Sequence, residues 1–193
     1  MRNKKEKILL CDIDDVMWDF IPHMVNWYNQ LSSEKIKVED FKEWDVSKVV
    51  PQSRLDIFWS IPTWQTFWDE IEPRFGAYKY AQLLNQEYEL YFVTATRLGM
   101  SDHKINKFLN MFNWVKPNQI IICQNKSMIK GDLLIDDAYH QLQNFTGKKL
   151  LVTRSWNEVI DTQNSNMTRG YDWSDIYIKV CELLKGNTDI GKK

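Results

Sequence analysis

Four short apolar runs, each stopping at a polar group, constrain this chain more than any other feature. Ile8-Leu9-Leu10-Cys11 ends at Asp12-Ile13-Asp14-Asp15-Val16, and Tyr91-Phe92-Val93 ends at Thr94. Ile120-Ile121-Ile122-Cys123 is followed by Lys126, and Leu133-Leu134-Ile135 ends at Asp136-Asp137. Runs of this length separated by helical stretches read as parallel strands buried on both faces. In open α/β sheets the ligand site lies outside the carboxyl ends of the strands, so two acids, a hydroxyl, an ammonium and two more acids are expected at one spot. Asp12 and Asp14, two apart on an extended segment, leave on the same face. Their repulsion is about 1 kcal/mol at 4 Å in water and several times larger in a drier pocket. A hard divalent cation such as magnesium removes that cost, and the inventory suits phosphoryl transfer.

Composition bounds the rest. The 193 residues, 44% hydrophobic and 26% charged, can bury one good core and a small appended domain. A formal net charge of -1 gives no broad positive field, which argues against a nucleic-acid polymer as substrate and leaves a single nucleotide open. Cys11, Cys123 and Cys181 are odd in number and far apart, as expected of reduced thiols in a cytoplasm. The basic start from Arg2 to Lys7 precedes only four apolar residues, too few for a signal-peptide core or a membrane span.

The interval from Met17 to about Tyr88 exceeds what a simple crossover between parallel strands needs. Apolar and aromatic residues at three and four spacing over Phe20 to Leu31 and Leu55 to Phe75, punctuated by Pro22, Pro51, Pro62 and Pro73, predict a small helical cap. A helix over Ala77 to Gln86 leads back to the core. Strands follow near Glu89 to Thr94, Gln119 to Cys123, Leu133 to Ile135 and Lys149 to Val152, with a helix near Asp102 to Phe112. Ser174 is the expected N-cap of a last helix running to about Leu184 before Gly186, and the tail to Lys193 is expected to fray.

The ordered set Asp-x-Asp-x-Val, Thr, Lys, Asp-Asp resembles the haloacid-dehalogenase superfamily of phosphatases. Within it the chain is most similar to the 5'(3')-deoxyribonucleotidases, through the first motif from Asp12 to Phe20, the segment Phe67-Trp68-Asp69-Glu70-Ile71-Glu72-Pro73 before Gly76-Ala77, the ten-residue step from Lys126 to Asp136, and Arg169 followed by Trp173. The resemblance implies an α/β fold: a Rossmann-like core of residues 1–16 and 77–193 with a central parallel sheet, and a helical cap of residues 17–76 inserted after the first strand. It implies a magnesium-dependent phosphoric monoester hydrolase acting on nucleoside monophosphates. Asp12 would be the nucleophile, forming an aspartyl phosphate, and Asp14 the general acid and base. Magnesium would be held by Asp12, by the backbone carbonyl of Asp14 and by Asp136, with Asp137 in support. Thr94 and Lys126 would bind phosphoryl oxygens, with Lys130 the rival for the lysine role.

Six of the nine Trp lie between Met17 and Tyr88. Most belong to the packing of so small a cap, but a few should stack on a base, at about 1 to 3 kcal/mol each. By resemblance Phe20 and Trp44 line that pocket, with Phe67 or Trp68 joining them. The chain departs from mammalian members at Asp15, where they usually have Gly, at Trp18, where a small residue is common, and at Ala95 and Gln124, where polar or Arg residues occur. A bulky Trp18 is expected to narrow the pocket. The expected partner is a small nucleotide, without nucleic-acid polymer or membrane, and a homodimer is compatible with the reading. Two other readings stand beside it. One is a phosphatase of another small phosphometabolite. The other is a phospho-acceptor switch domain of the receiver type, which the order of the acids and the long cap oppose.

Overall fold

The computed structural model describes residues 6–97 and 99–185. Arg2 to Lys5 of the basic start, the Gly186 cap and the tail to Lys193 lie outside the described residues. Six parallel strands form one sheet in the order β3-β2-β1-β4-β5-β6: β1 Ile8–Cys11, β2 Glu89–Thr94, β3 Ile120–Ile122, β4 Leu133–Asp136, β5 Lys148–Val152 and β6 Thr168–Gly170. The chain reverses its direction of travel across the sheet at β1, which puts the switch point beside that strand. Cys11 is level with Phe92 on one side and Ile135 on the other. Asp12, Thr94 and Asp136 therefore leave neighbouring strands at nearly the same height, and the ladder continues one step further through Asp12 N–H to the Ile135 carbonyl at 2.9 Å.

Alternation along each strand makes two apolar layers. Leu9, Cys11, Phe92, Ile135, Leu150 and Val152 belong to the larger one, while Leu10, Val93, Leu134 and Leu151 face a smaller one with Leu142, Phe145 and Met167. The helices are α1 Phe20–Leu31, α2 Leu55–Ser60, α3 Gln65–Glu70, α4 Ala77–Glu87, α5 Ser101–Met111, α6 Tyr139–Gln143 and α7 Trp173–Leu184.

Between β1 and α4 lie α1 to α3 and several single 3-10 turns, the stretch expected to serve as a cap. The segment expected to be helical over Leu55 to Phe75 holds two short helices, separated by a 3-10 turn at Ile61–Thr63 that contains Pro62. The last helix begins two residues early. Asp172, not Ser174, is its N-cap, its carboxylate accepting from the Asp175 N–H at 2.9 Å while the Ser174 hydroxyl donates to the same oxygen. β6 was not foreseen, since Thr168-Arg169-Gly170 carries no apolar run; it is a three-residue edge strand, and Gly170 is needed there because a Cβ would meet Leu150 at 2.7 Å.

The chain leaves the core at Met17 and Trp18 and returns at Pro73 and Arg74. Trp18 bridges both Asp14 and Pro73, and the Arg74 N–H reaches the Met17 carbonyl at 2.9 Å. Asp15, next to the exit, has φ of 55°. That left-handed conformation suits glycine. Asp tolerates it by local hydrogen bonding, here to the Ile21 N–H at 3.0 Å.

Candidate active site

Lys126 stands in a 3-10 turn, Lys126–Met128, just beyond β3, capped by the Asn125 side chain accepting from Ser127 N–H. Its backbone N–H donates to Gln141 on α6 at 3.0 Å. The turn aims the ammonium inward, where it donates to Asp12 and, at 2.7 Å, to Asp136. All three side chains are buried. Burial works against the charge on Lys126, but the two carboxylates more than offset it and raise its pKa above the ordinary lysine value. Lys130, the sequence rival, makes no such contact among the described interactions.

Asp12, Asp136 and Asp137 each present an oxygen, and the three lie within 4.8 Å of one another. Asp136 is oriented by the Ala138 N–H at 2.9 Å, and Asp137 by the Trp156 indole N–H at 2.8 Å. Burial pushes the Asp12 carboxyl up to about 7, with Asp136 and Asp14 adding to the rise and Lys126 opposing it. Asp137 is likewise raised, by burial and then by Asp15 and Asp136. Three hard oxygen donors with more negative charge than one ammonium balances are the donor set a divalent cation fits. Asp137, expected as outer support, presents an oxygen close to those of Asp12 and Asp136.

Asp14 is placed differently. Its carboxylate stands outside that group, with one oxygen accepting from the Trp18 indole N–H at 2.9 Å and the other from the Lys104 ammonium. Its side chain is 24% exposed and faces a cavity of about 720 Å³. Lys104 also donates to the Thr94 hydroxyl. Thr94 is fully buried, and accepting from Lys104 leaves its own proton to donate.

Sequence reasoning missed Lys104. The signal was available: Met100, Lys104, Phe108 and Phe112 recur every four residues and all are buried. A lysine inside an apolar helical stripe needs a buried carboxylate.

The cavity lies between sheet ends and cap. Phe20, Phe41, Trp44, Trp59 and Trp156 form its aromatic walls, Glu43, Asp45, Thr96, Arg97 and Gln124 its polar rim, and Ala95 also lines it. Trp44 is half exposed and packs on Trp156 and on His140, the latter at 5.3 Å. Arg97 stacks on Trp59 at 4.0 Å. Phe20 and Trp44 thus reach the cavity. Phe67 and Trp68 do not: both are fully buried, edge-on to each other at 5.0 Å and packed behind Phe20, and the Trp68 N–H is spent on the Pro62 carbonyl. Nor does Trp18 narrow the pocket, because it is fully buried outside the lining.

Two arginines close the exit from the core. Arg154 and Arg74 both donate to the Asp15 carbonyl and both pair with Asp19, at 3.0 and 3.3 Å. Neither arginine was singled out by sequence, although Arg74 directly follows the Phe67 to Pro73 segment.

The fold recurs in solved structures. A haloacid-dehalogenase-family hydrolase from Deinococcus radiodurans, with bound phosphate and sodium, superposes with a TM-score of 0.66 over 93% of this chain and 96% of its own at 9% identity. A Bacillus subtilis hydrolase of the same fold, bound to magnesium, gives 0.57 over 92% and 99% at 14% identity. In sequence, a 5'(3')-deoxyribonucleotidase of Bacillus subtilis is 25% identical over 185 residues, 91% of this chain and 99% of that protein. One from Clostridium acetobutylicum is 27% identical over 183 residues, 90% and 94% of the two chains. The family model for the 5' nucleotidase, deoxy (Pyrimidine), cytosolic type C proteins matches residues 6–184. Matched from the first strand through the last helix, with the expected acids and lysine gathered at the strand ends, the chain belongs to that nucleotidase family.

Proposed function

We propose that the protein is a magnesium-dependent 5'-nucleotidase that hydrolyses the phosphate monoester of deoxyribonucleoside or ribonucleoside monophosphates. The observation that carries this is the meeting of Asp12, Lys126, Asp136 and Asp137 at the strand ends, with Asp12 two residues along the chain from Asp14, which lines an aromatic-walled cavity. Asp12, Asp136 and the Asp14 backbone carbonyl would hold the cation, with Asp137 in support; bound there it would neutralise charge and bring the Asp12 carboxyl, otherwise about 7, into its ionised form at neutral pH.

Asp12 then attacks phosphorus, and the new Asp12–phosphorus bond forms as the bond to the ester oxygen breaks. Asp14 delivers a proton to that departing oxygen. In the second half, Asp14 takes a proton from a water that attacks phosphorus, and the Asp12–phosphorus bond breaks to release inorganic phosphate. Lys126 and Thr94 stabilise the charge on the transferring oxygens. Phe20 and Trp44 are the best-placed rings for a base. Residues 17–76 act as the cap and the remainder as the core, and three free thiols with no disulfide among the described residues support a cytoplasmic setting.

Mononucleotides and sugar phosphates, each assayed for phosphate release with and without magnesium, test the reading. Release from mononucleotides supports it; release from sugar phosphates alone assigns the site to another small phosphometabolite.

A further inference from the structure

Trp18 is unaccounted for by the reaction outlined above, yet it touches the proposed proton donor. Its indole N–H donates to one Asp14 oxygen at 2.9 Å, while the ring is fully buried between the cap and the core. It meets Trp68 of α3 at 5.6 Å and Phe108 of α5, edge-on, at 5.6 Å. Its backbone bridges Asp14 on one side and Pro73, where the cap returns, on the other. A carboxylate held by one donor can rotate about χ1 and χ2; Asp14 is held by two, one on each oxygen. The two donors differ in kind. Lys104 is a flexible chain that also serves Thr94, whereas an indole wedged between two rings has no alternative rotamer without opening the core.

We propose that Trp18 is a positioning residue that fixes the Asp14 carboxyl in the orientation from which it protonates the leaving oxygen, and that it ties that orientation to the seating of the cap. The inference rests on the reading of Asp14 as proton donor. Trp18 touches no substrate; it acts through Asp14. Its bulk, which looked from the sequence like an obstruction at the pocket, is the means of bracing an acid.

The test uses leaving groups of different basicity. A nucleoside alkoxide needs a proton as it departs, and a nitrophenolate does not, so loss of correct proton delivery should separate the two substrates. Trp18→Phe keeps an aromatic ring and removes the N–H. A second variant, carrying 3-benzothienylalanine at position 18 by stop-codon suppression, keeps the bicycle with sulfur in place of the N–H and guards against a packing defect. Both should lower kcat/KM, which excludes the aspartyl-phosphate breakdown in which Asp14 serves both substrates alike, about 10- to 100-fold on a nucleoside monophosphate, the scale of a lost hydrogen bond to a charged group, with a far smaller loss on nitrophenyl phosphate. Equal losses on the two substrates in both variants, or no loss on the nucleotide, overturn the proposal. Asp14→Asn run in parallel separates the layers. If it too loses both substrates equally, Asp14 is not the proton donor and the underlying reading falls; if it discriminates and the Trp18 variants do not, only the role of Trp18 falls.

Discussion

The sheet ends and the cap bury their side chains by opposite means. At the sheet ends the interior is polar: Asp12, Asp136, Asp137 and Lys126 are all nearly inaccessible, the first two held by pairing with Lys126 and Asp137 by the Trp156 indole N–H. In the cap the interior is largely apolar, with Phe58, Phe67 and Trp68 fully buried beside Met24, Val50 and Ile61, Phe58 edge-on to Tyr28 and Phe67 edge-on to Trp68. The comparison teaches that a catalytic floor and a substrate roof can be built in one small protein because the chain separates them by chemistry. Removing a charge below should abolish turnover, while removing a ring above should change stability or affinity.

The largest effect belongs to the floor. Asp12→Asn should reduce kcat by about 10^4-fold or more with the fold intact by circular dichroism, as expected for loss of a nucleophile; substantial residual turnover would remove Asp12 from that role. Lys126→Met leaves two buried carboxylates unpaired and should destabilise the protein by about 3 to 5 kcal/mol in urea titration, besides abolishing phosphate release. A loss under 1 kcal/mol would mean that the carboxylates are already satisfied without it.

In the roof, Phe67→Ala should cost about 3 to 5 kcal/mol of stability with KM little changed, because Phe67 stands behind the cavity wall. Trp44→Ala should do the reverse, raising KM for a mononucleotide by about 5- to 100-fold, the equivalent of one lost stacking contact, with stability nearly unaltered. A shift in kcat alone would place Trp44 outside the base pocket and blur the division between floor and roof.

The smallest effect expected is one of pH. In the metal-free protein the folded-state carboxyls of Asp12 and Asp15 lie at about 7 and about 8, both raised chiefly by burial from an unfolded value near 3.8. The native state therefore holds protons that the unfolded chain releases, so this contribution to stability is fully present below pH 4 and is lost as pH rises through about 8. Magnesium should raise Tm more at pH 8 than at pH 5 in differential scanning fluorimetry. Equal shifts at both pH values would detach the cation from Asp12.

What could be read in advance follows the same division. The floor was legible because strands alternate with period two and end where their apolar runs end; Asp12, Thr94, Lys126 and Asp136 each mark such an end, and register brings them together. The roof was legible only as composition. A ring in a short helix broken by Pro62 faces the cavity or the core according to turn geometry that spacing does not encode, so Phe67 and Trp68 could not be told from Phe20. Lys104 and Trp18 escaped for another reason: their partner, Asp14, lies 90 residues away in one case and in an irregular turn in the other. β6 escaped because an edge strand need not be apolar.

The exit and re-entry of the cap at Met17 and Arg74, one hydrogen bond apart, have an evolutionary corollary. An excursion that begins and ends at the same place adds nothing to the span the sheet must bridge, so its length and sequence can drift while the strands keep their register. New specificities can then arise by remodelling some sixty residues without retuning the phosphoryl chemistry beneath them, provided the residues flanking the junction keep their hold on the first strand's acids.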